Sequence, residues 1–296
     1  MRKGICTSFD LTTTREGWHL LGHTPVMLLR VLDLVVRHHP SHPPVLAGVG
    51  LEVAAGELVA VVGANGSGKS TLGRALAGLE PIESGHVVGV DGRAPRVGLV
   101  LQDPAAQLVS ATTADEIALG PQAAGMLPVA VDGRARTTAL RHRLGAVWAR
   151  DPGALSGGQQ QRVAIASIDA CDVDVLVLDE PTAMLDEPAR AQLVEELREL
   201  ANGRGVVWIT QVADEVAACD RVVILDAGVV VWSGAIDEYV ADPARAATFD
   251  LDLPVAARVA HDLAARGMWP SGVAIPSSTE RLADVLVGDR NGDADA

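Results

Sequence analysis

The chain has 296 residues, 48% of them apolar and only 3% aromatic, with a formal net charge of −14. That size and apolar share support one large core, or a core with a modest extension, filled mainly by Val, Leu, Ala and Ile. The acidic excess argues against a broad nucleic-acid or anionic-lipid surface, which needs Lys and Arg in surplus, so no nucleic-acid partner is expected.

The cysteines Cys6, Cys171 and Cys219 lie far apart without metal-ligand spacing, which fits a reducing compartment and no disulfide frame. No stretch reaches the roughly 18 uninterrupted apolar residues of a membrane span. Met1-Arg2-Lys3 is followed by the mixed residues 4–10 rather than a long apolar segment, which argues against an export signal. Residues 1–26 are weakly patterned and read as a flexible leader.

Residues 28–36 and 45–53 read as strands around the His- and Pro-rich turn 38–44, an antiparallel start to the fold. The apolar run 58–62 then enters Gly63-Ala64-Asn65-Gly66-Ser67-Gly68-Lys69-Ser70-Thr71, and a helix is expected over 72–77. Strand, glycine-rich turn and helix in that order make a phosphate-binding loop. Its glycines let consecutive N–H groups and the helix start point at phosphate oxygens. Lys69 would reach the β- and γ-phosphates, and the Ser70 hydroxyl would ligate Mg²⁺.

Residues 85–90 and 96–101 read as short strands, and 114–148 as a helical insertion. In Leu155-Ser156-Gly157-Gly158-Gln159, Ser156 is an N-cap and the glycines leave the helix start open to an anion. The run 175–178 reads as a strand buried on both faces, ending at Asp179-Glu180, where the carboxyl ends of parallel strands place ligands. Such acids can cap a helix, but after a phosphate loop they offer a Mg²⁺ contact and a base for water. A helix over 188–201, with Glu195, Glu196, Arg198 and Glu199 mostly on its wet side, leads to a buried strand at 206–210 and then Gln211. Residues 221–232 form a hairpin about Ala227-Gly228, helices are expected near 255–266 and 280–287, and 289–296 reads as a frayed tail.

The phosphate loop, LSGGQ at 155–159 and LDEPT at 178–182 together resemble the ATP-binding-cassette ATPases over roughly residues 28–234. The resemblance implies an α/β fold: a P-loop NTPase core with an antiparallel β subdomain, a helical subdomain at about 104–170 and a small C-terminal extension. It implies a nucleotide-binding domain over 27–245, binding ATP and Mg²⁺. In that family two cassettes sandwich two ATP molecules head to tail, so Ser156, Gly157, Gly158 and Gln159 would face the γ-phosphate held by Gly63, Asn65, Gly66, Ser67, Gly68, Lys69, Ser70 and Thr71 of the other cassette. Matched residue by residue, Gln102 touches Mg²⁺ and the attacking water, Asp179 binds the metal, Glu180 is the catalytic base and Asp186 lies along the dimer interface.

The sequence departs from the family's pattern in two places. Gln211 stands where the family usually has a histidine on the γ-phosphate. Its amide still donates a hydrogen bond but carries no charge and shuttles no proton. Losing a transition-state donor costs on the order of 10²–10³ in turnover, so Gln211 keeps binding and lowers the expected hydrolysis rate, as in the weaker site of an asymmetric pair. The aromatic that usually stacks on adenine is replaced by His38 or His39, each of which also reads as a solvated turn residue.

A narrower resemblance runs through residues 97–107, including Gln107, and Asp115-Glu116-Ile117-Ala118-Leu119-Gly120-Pro121. These segments are similar to the energy-coupling-factor transporter ATPases, which serve vitamin and cobalt or nickel uptake, and residues 249–267 are similar to the start of that group's small C-terminal dimerisation domain, expected here over 246–288. The resemblance implies a peripheral ATPase on the cytoplasmic face of the cell membrane. Its partners would be a second cassette, identical or paralogous, a transmembrane coupling subunit and a membrane-embedded substrate binder. The alternatives are a low-turnover nucleotide-binding partner in an asymmetric dimer and a soluble cassette ATPase outside transport.

Overall fold

A computed structural model describes residues 26–89 and 92–292; the leader expected over 1–26 lies almost wholly outside them, as do Cys6, Val90 and residues 293–296. The antiparallel start is β1 (Met27–Val36) paired with β2 (Leu46–Ala54), and β4 (Ser84–Gly89) joins the other edge of β1. Leu29, Val31, Leu34 and Val36 of β1 all point inward although the period slips between Val31 and Leu34. A bulge there, with Asp33 at φ 47°, absorbs the extra residue and keeps the apolar face on the core.

The main sheet has the order β5-β6-β7-β3-β8-β9. Its strands are β3 (Leu58–Val62), β5 (Val97–Val100), β6 (Val175–Asp179), β7 (Gly205–Ile209), β8 (Arg221–Asp226) and β9 (Val229–Ala235). All pair in parallel except β9, which returns antiparallel from β8 through Ala227-Gly228. Every residue of β3, β6 and β7 is buried, which is why these strands read as continuous apolar runs without alternation. Their side chains still divide by face. Val59, Val61, Val177, Val207 and Val223 pack with the antiparallel sheet and with α1 (Lys69–Leu76). Ala60, Leu176, Leu178, Val206 and Ile224 pack with Leu193, Leu197 and Leu200 of α5 (Glu187–Ala201).

A third buried cluster belongs to α2 (Thr113–Ala123), α3 (Pro128–Arg141) and α4 (Gly157–Asp169), around Ile117, Val131, Leu144 and Val163. Helix α6 (Ala213–Val216) links β7 to β8, and past the main sheet come α7 (Ile236–Val240), α8 (Pro243–Thr248), α9 (Val255–Ala265) and α10 (Thr279–Gly292). Ala246, Leu253 and Ala257 share the buried cluster of β6 and β7 rather than forming a core of their own.

Three expectations change. The first helix begins at Lys69, not Leu72, because Gly68 at φ 107° ends the loop and the Leu72 N–H already bonds the Gly68 carbonyl. Glu196 is buried, since α5 turns it toward α4, where Gln192 donates to it at 3.1 Å and Arg162 donates to Gln192 at 3.2 Å. Helix α10 continues to Gly292 through positions read as a frayed tail.

Candidate functional site

The phosphate loop is braced from outside its own sequence. A Cβ at Gly63 would strike the Leu225 carbonyl and come within 2.8 Å of Ser67 Oγ. At Gly68, also at positive φ, it would lie 2.9 Å from the Leu46 side chain and 3.1 Å from the Val45 carbonyl. The Gly228 N–H, in the β8–β9 turn, donates to the Ser67 carbonyl at 3.0 Å, and the Ala47 N–H donates to the Gly228 carbonyl at 2.9 Å. The loop is therefore clamped between the turn entering β2 and the tip of the β8–β9 hairpin. No side chain caps α1, so its first-turn N–H groups face the loop's mouth.

Inside this cradle Lys69 Nζ donates to the carbonyls of Gly63 at 2.7 Å and Ala64 at 2.9 Å. Burial pushes the lysine pKa below its usual range, against the opposing charges of Glu180 and Asp179. Ser67 Oγ is buried without a protein partner.

Across from it, β6 ends at Asp179 and Glu180. Burial pushes the Asp179 carboxyl above the usual carboxylate range, although a hydrogen bond with Ser70 and the charges of Arg74 and Lys69 oppose the rise. Glu180 has left-handed backbone, φ 46°, a conformation that costs a non-glycine residue of order 1–3 kcal/mol and clusters at functional sites. Its carboxylate accepts from two glutamines: Gln102 Nε2 at 2.8 Å on one oxygen and Gln211 Nε2 at 2.6 Å on the other. Gln211 Nε2 also donates to Asn65 Oδ1 at 2.8 Å, which uses both of its N–H groups. Gln107 stands behind Gln102, accepting from the Leu101 N–H and donating to the Leu99 carbonyl, each at 3.1 Å, and so fixes the end of β5.

The fold thus gathers Asn65, Lys69, Ser70, Gln102, Asp179, Glu180 and Gln211. Other candidates lie in separate arrangements. Ser156 and Gln159 form a reciprocal capping box at the start of α4, and Gly157 and Gly158 pass beside Met184 and Leu185. Asp186 caps α5, accepting from the Ala189 N–H at 3.0 Å. His38 pairs with Glu80 at 3.2 Å, while His39 bonds Ser41 at 2.7 Å and stacks edge-on against His42.

Several residues of the site went unread in the sequence. Glu215 and Thr210, buried behind Gln211, are bonded to each other. An acid in a short polar helix gives no periodic signal to separate it from a solvated one. The brace from Gly228 was legible only as a hairpin turn.

The oxygen donors present suit Mg²⁺. Ser70 Oγ, Asp179 and the free Gln102 Oε1 offer hard ligands with a single carboxylate, and that cation keeps waters and shares phosphate oxygens rather than sitting in a protein cage. Among the described residues no group of three or more His, Cys, Asp or Glu side chains could hold a metal by itself. The unpartnered Ser67 hydroxyl and the uncapped α1 suit a phosphate.

Comparisons with known proteins agree with this architecture. Residues 46–183 match the ABC transporter family model. The energy-coupling factor transporter ATP-binding protein EcfA1 of Symbiobacterium thermophilum is 41% identical over 237 residues, 75% of this chain and 82% of that protein. EcfA1 of Lacticaseibacillus paracasei is 36% identical over 274 residues, covering 88% of this chain and 96% of the relative. The solved structure of cbiO1 from Clostridium perfringens, described as part of the ABC transporter complex cbiONQ, superposes with a TM-score of 0.67 at 27% identity, over 80% of this chain and 99% of that one. The shared fold and the extent of these matches place the chain among the ABC transporter ATP-binding proteins, with its similarity to energy-coupling-factor ATPases, and it belongs to that family.

Proposed function

We propose that this chain is the ATP-hydrolysing motor of an energy-coupling-factor importer for a vitamin or metal ion, working as a cassette dimer on the cytoplasmic face of the membrane. The observation that carries the reading is the Glu180 carboxylate, held between Gln102 and Gln211 beside the Lys69 cradle.

In this reading the α1 N-terminus and Lys69 bind the β- and γ-phosphates, Lys69 exchanging the Gly63 and Ala64 carbonyls for phosphate oxygens. Ser70, Gln102 and Asp179 would hold Mg²⁺, which when bound neutralises charge developing on the phosphates. Glu180 orients the attacking water and takes its proton, with Gln102 and Gln211 fixing the carboxylate's direction. Ser156, Gly157, Gly158 and Gln159 complete the site of a second cassette, identical or paralogous, with Asp186 along the interface; His38 or His39 lies against the base. The segment 246–288 serves dimerisation, within a domain division of 27–245 and 246–288. A transmembrane coupling subunit and a membrane-embedded binder complete the assembly; the names of the relatives support this, and among the described residues no helix is long and apolar enough to cross a membrane.

Replacing Glu180 by Gln removes the base and is expected to lower ATP turnover by on the order of 10²–10⁴ while nucleotide binding survives. Steady-state hydrolysis together with nucleotide-binding titration checks this, and unchanged turnover would remove Glu180 from its role. One observation favours a slow site within that assembly. Both Gln211 N–H groups are spent on Asn65 and Glu180, so a bond to the γ-phosphate must displace one of them. Gln211→His is then expected to raise turnover; a fall would mean that the glutamine's hold on Glu180 outweighs the donor it withholds from the γ-phosphate.

A further inference from the structure

A cleft of about 470 Å³ opens between α3 and the last turn of α4. It lies by the residues that lead into β6 and β7, at the opposite ends of those strands from Asp179 and Gln211. Arg134, Thr138 and Arg141 recur at the helical spacing that brings them to one face of α3, and Arg204 enters from the turn before β7. The Asp169 carboxylate is fully buried, and its two oxygens accept from Arg141 Nη1 and Arg204 Nη1, each at 2.8 Å. One carboxylate therefore holds two guanidinium groups side by side. Each is engaged through Nη1 alone, so the Nε–Nη2 edge of both has no acceptor among the described residues. That edge is the fork that matches two oxygens on one centre.

Arg134 gives Nε to the Ala170 carbonyl at 3.1 Å, covering the negative end of α4, and pairs Nη2 with Asp172 at 3.2 Å, which leaves Nη1 free. Thr138 is only 4% exposed, and its hydroxyl meets no hydrogen-bond partner among the described residues. The half-exposed Arg141 already balances Asp169, so Arg204, with a side chain only 16% exposed, is a largely buried cation in surplus. Asp172 at the rim is shared between Arg134 and Arg96. In a chain of net charge −14, this cleft is a local excess of positive charge, and a buried cation is costly without an anion.

We propose that the cleft binds the phosphate group of a small phosphorylated molecule, held by the Nε–Nη2 edges of Arg141 and Arg204 with Arg134 Nη1 and the Thr138 hydroxyl. Two forks and a third guanidinium exceed what the two oxygens of a carboxylate accept, whereas a phosphate group presents a further oxygen. The volume falls in the range of roughly 300–1,000 Å³ typical of small-molecule pockets, which leaves room for the organic part. The cleft shares no residue with the phosphate loop, so the inference stands apart from the hydrolytic reading.

Calorimetric titration of inorganic phosphate into the full chain tests it, with Mg²⁺ and a saturating non-hydrolysable ATP analogue present to fill the phosphate loop. Wild type is expected to bind one phosphate per chain and acetate at least about tenfold more weakly. Arg141→Gln removes one fork and should weaken phosphate binding by on the order of tenfold. A Cβ at Gly133, on the α3 wall of the cleft, would meet nothing within 4 Å. Gly133→Leu therefore fills the space without touching an ion pair and should abolish binding. Phosphate should also raise the melting temperature of wild type and leave that of Gly133→Leu unchanged. Should Arg141→Gln fail to fold, Gly133→Leu decides the question alone. Absence of phosphate binding by wild type, or binding unaltered in Gly133→Leu, would overturn the site. Acetate binding as tight as that of phosphate would overturn the assignment of its ligand.

Discussion

Asp169 sits in the last turn of α4 with its carboxylate fully buried, bonded to Arg141 and Arg204 at 2.8 Å each and to His142 at 3.0 Å. It ties the end of the helical layer to the residue leading into β7. Burial pushes this carboxyl up, but the His142 hydrogen bond and the charges of Arg204, His142 and Arg141 outweigh it and hold the pKa down to about 2. A carboxylate whose folded pKa lies below its unfolded value of about 3.9 contributes stability that is complete above that value and lost as pH falls toward the folded pKa. Asp169→Ala is therefore expected to cost about 3–5 kcal/mol at neutral pH, because it removes the shared acceptor of Arg204 and His142, both largely buried, and of the half-exposed Arg141. The difference from wild type should shrink between roughly pH 4 and pH 2. Denaturant unfolding across that window tests this, and a pH-independent difference would show that Asp169 acts through packing alone.

At the scale of elements, the phosphate loop is a tertiary construction. Its local sequence supplies the glycines and Lys69, but the β8–β9 turn supplies the donor to Ser67, and the start of β2 closes against Gly68. Gly228, at φ 81°, has no room for a Cβ beside the Val45 carbonyl. Gly228→Ala should weaken nucleotide binding by about tenfold, equivalent to about 1.4 kcal/mol, although no ligand touches that residue in the proposed site. Titration with a fluorescent ATP analogue measures this; unchanged affinity would mean that the loop holds its shape unaided. The neighbouring Ala227 has φ 44°, and Ala227→Asn creates the Asn-Gly pair that such a two-residue hairpin favours. It should raise the melting temperature by a few degrees, equivalent to about 0.5–1 kcal/mol.

For the whole molecule, the start of α4 at Ser156 and the phosphate loop occupy different elements of one chain. A partner cassette joins them in the proposed assembly. The Glu180→Gln variant, which would bind ATP without consuming it, is expected to sediment as a dimer with ATP and Mg²⁺ and to separate in their absence. Gly158→Leu, placed where even a Cβ lies 3.2 Å from the Leu185 side chain, should prevent that dimer while leaving nucleotide binding by each chain intact. ATP-independent sedimentation of both variants would count against the sandwich. Affinity purification from solubilised membranes, followed by mass spectrometry, should recover a second cassette and membrane-embedded subunits. Recovery of no membrane protein would favour a soluble role.

By itself the sequence determined the strand–loop–helix unit at residues 58–77, though not where its helix begins, together with the fully apolar strands of the parallel sheet, the N-cap at Ser156 and the hairpin at Ala227-Gly228. Each depends on residues adjacent in the chain: glycines where φ is positive, uninterrupted apolar runs where both faces are covered, and a hydroxyl before a helix. It also marked Gln102, Glu180 and Gln211 as candidates through the resemblance of their surrounding motifs. Tertiary structure decided what those residues touch. The double hydrogen bonding of Glu180, the diversion of Gln211 to Asn65, the burial of Glu196 and Glu215, and the clamp on Ser67 all join residues distant in the chain. Their chemistry is fixed by parallel strand pairing and by helices packed across the sheet, and local residue patterns carry no record of which distant side chain will arrive.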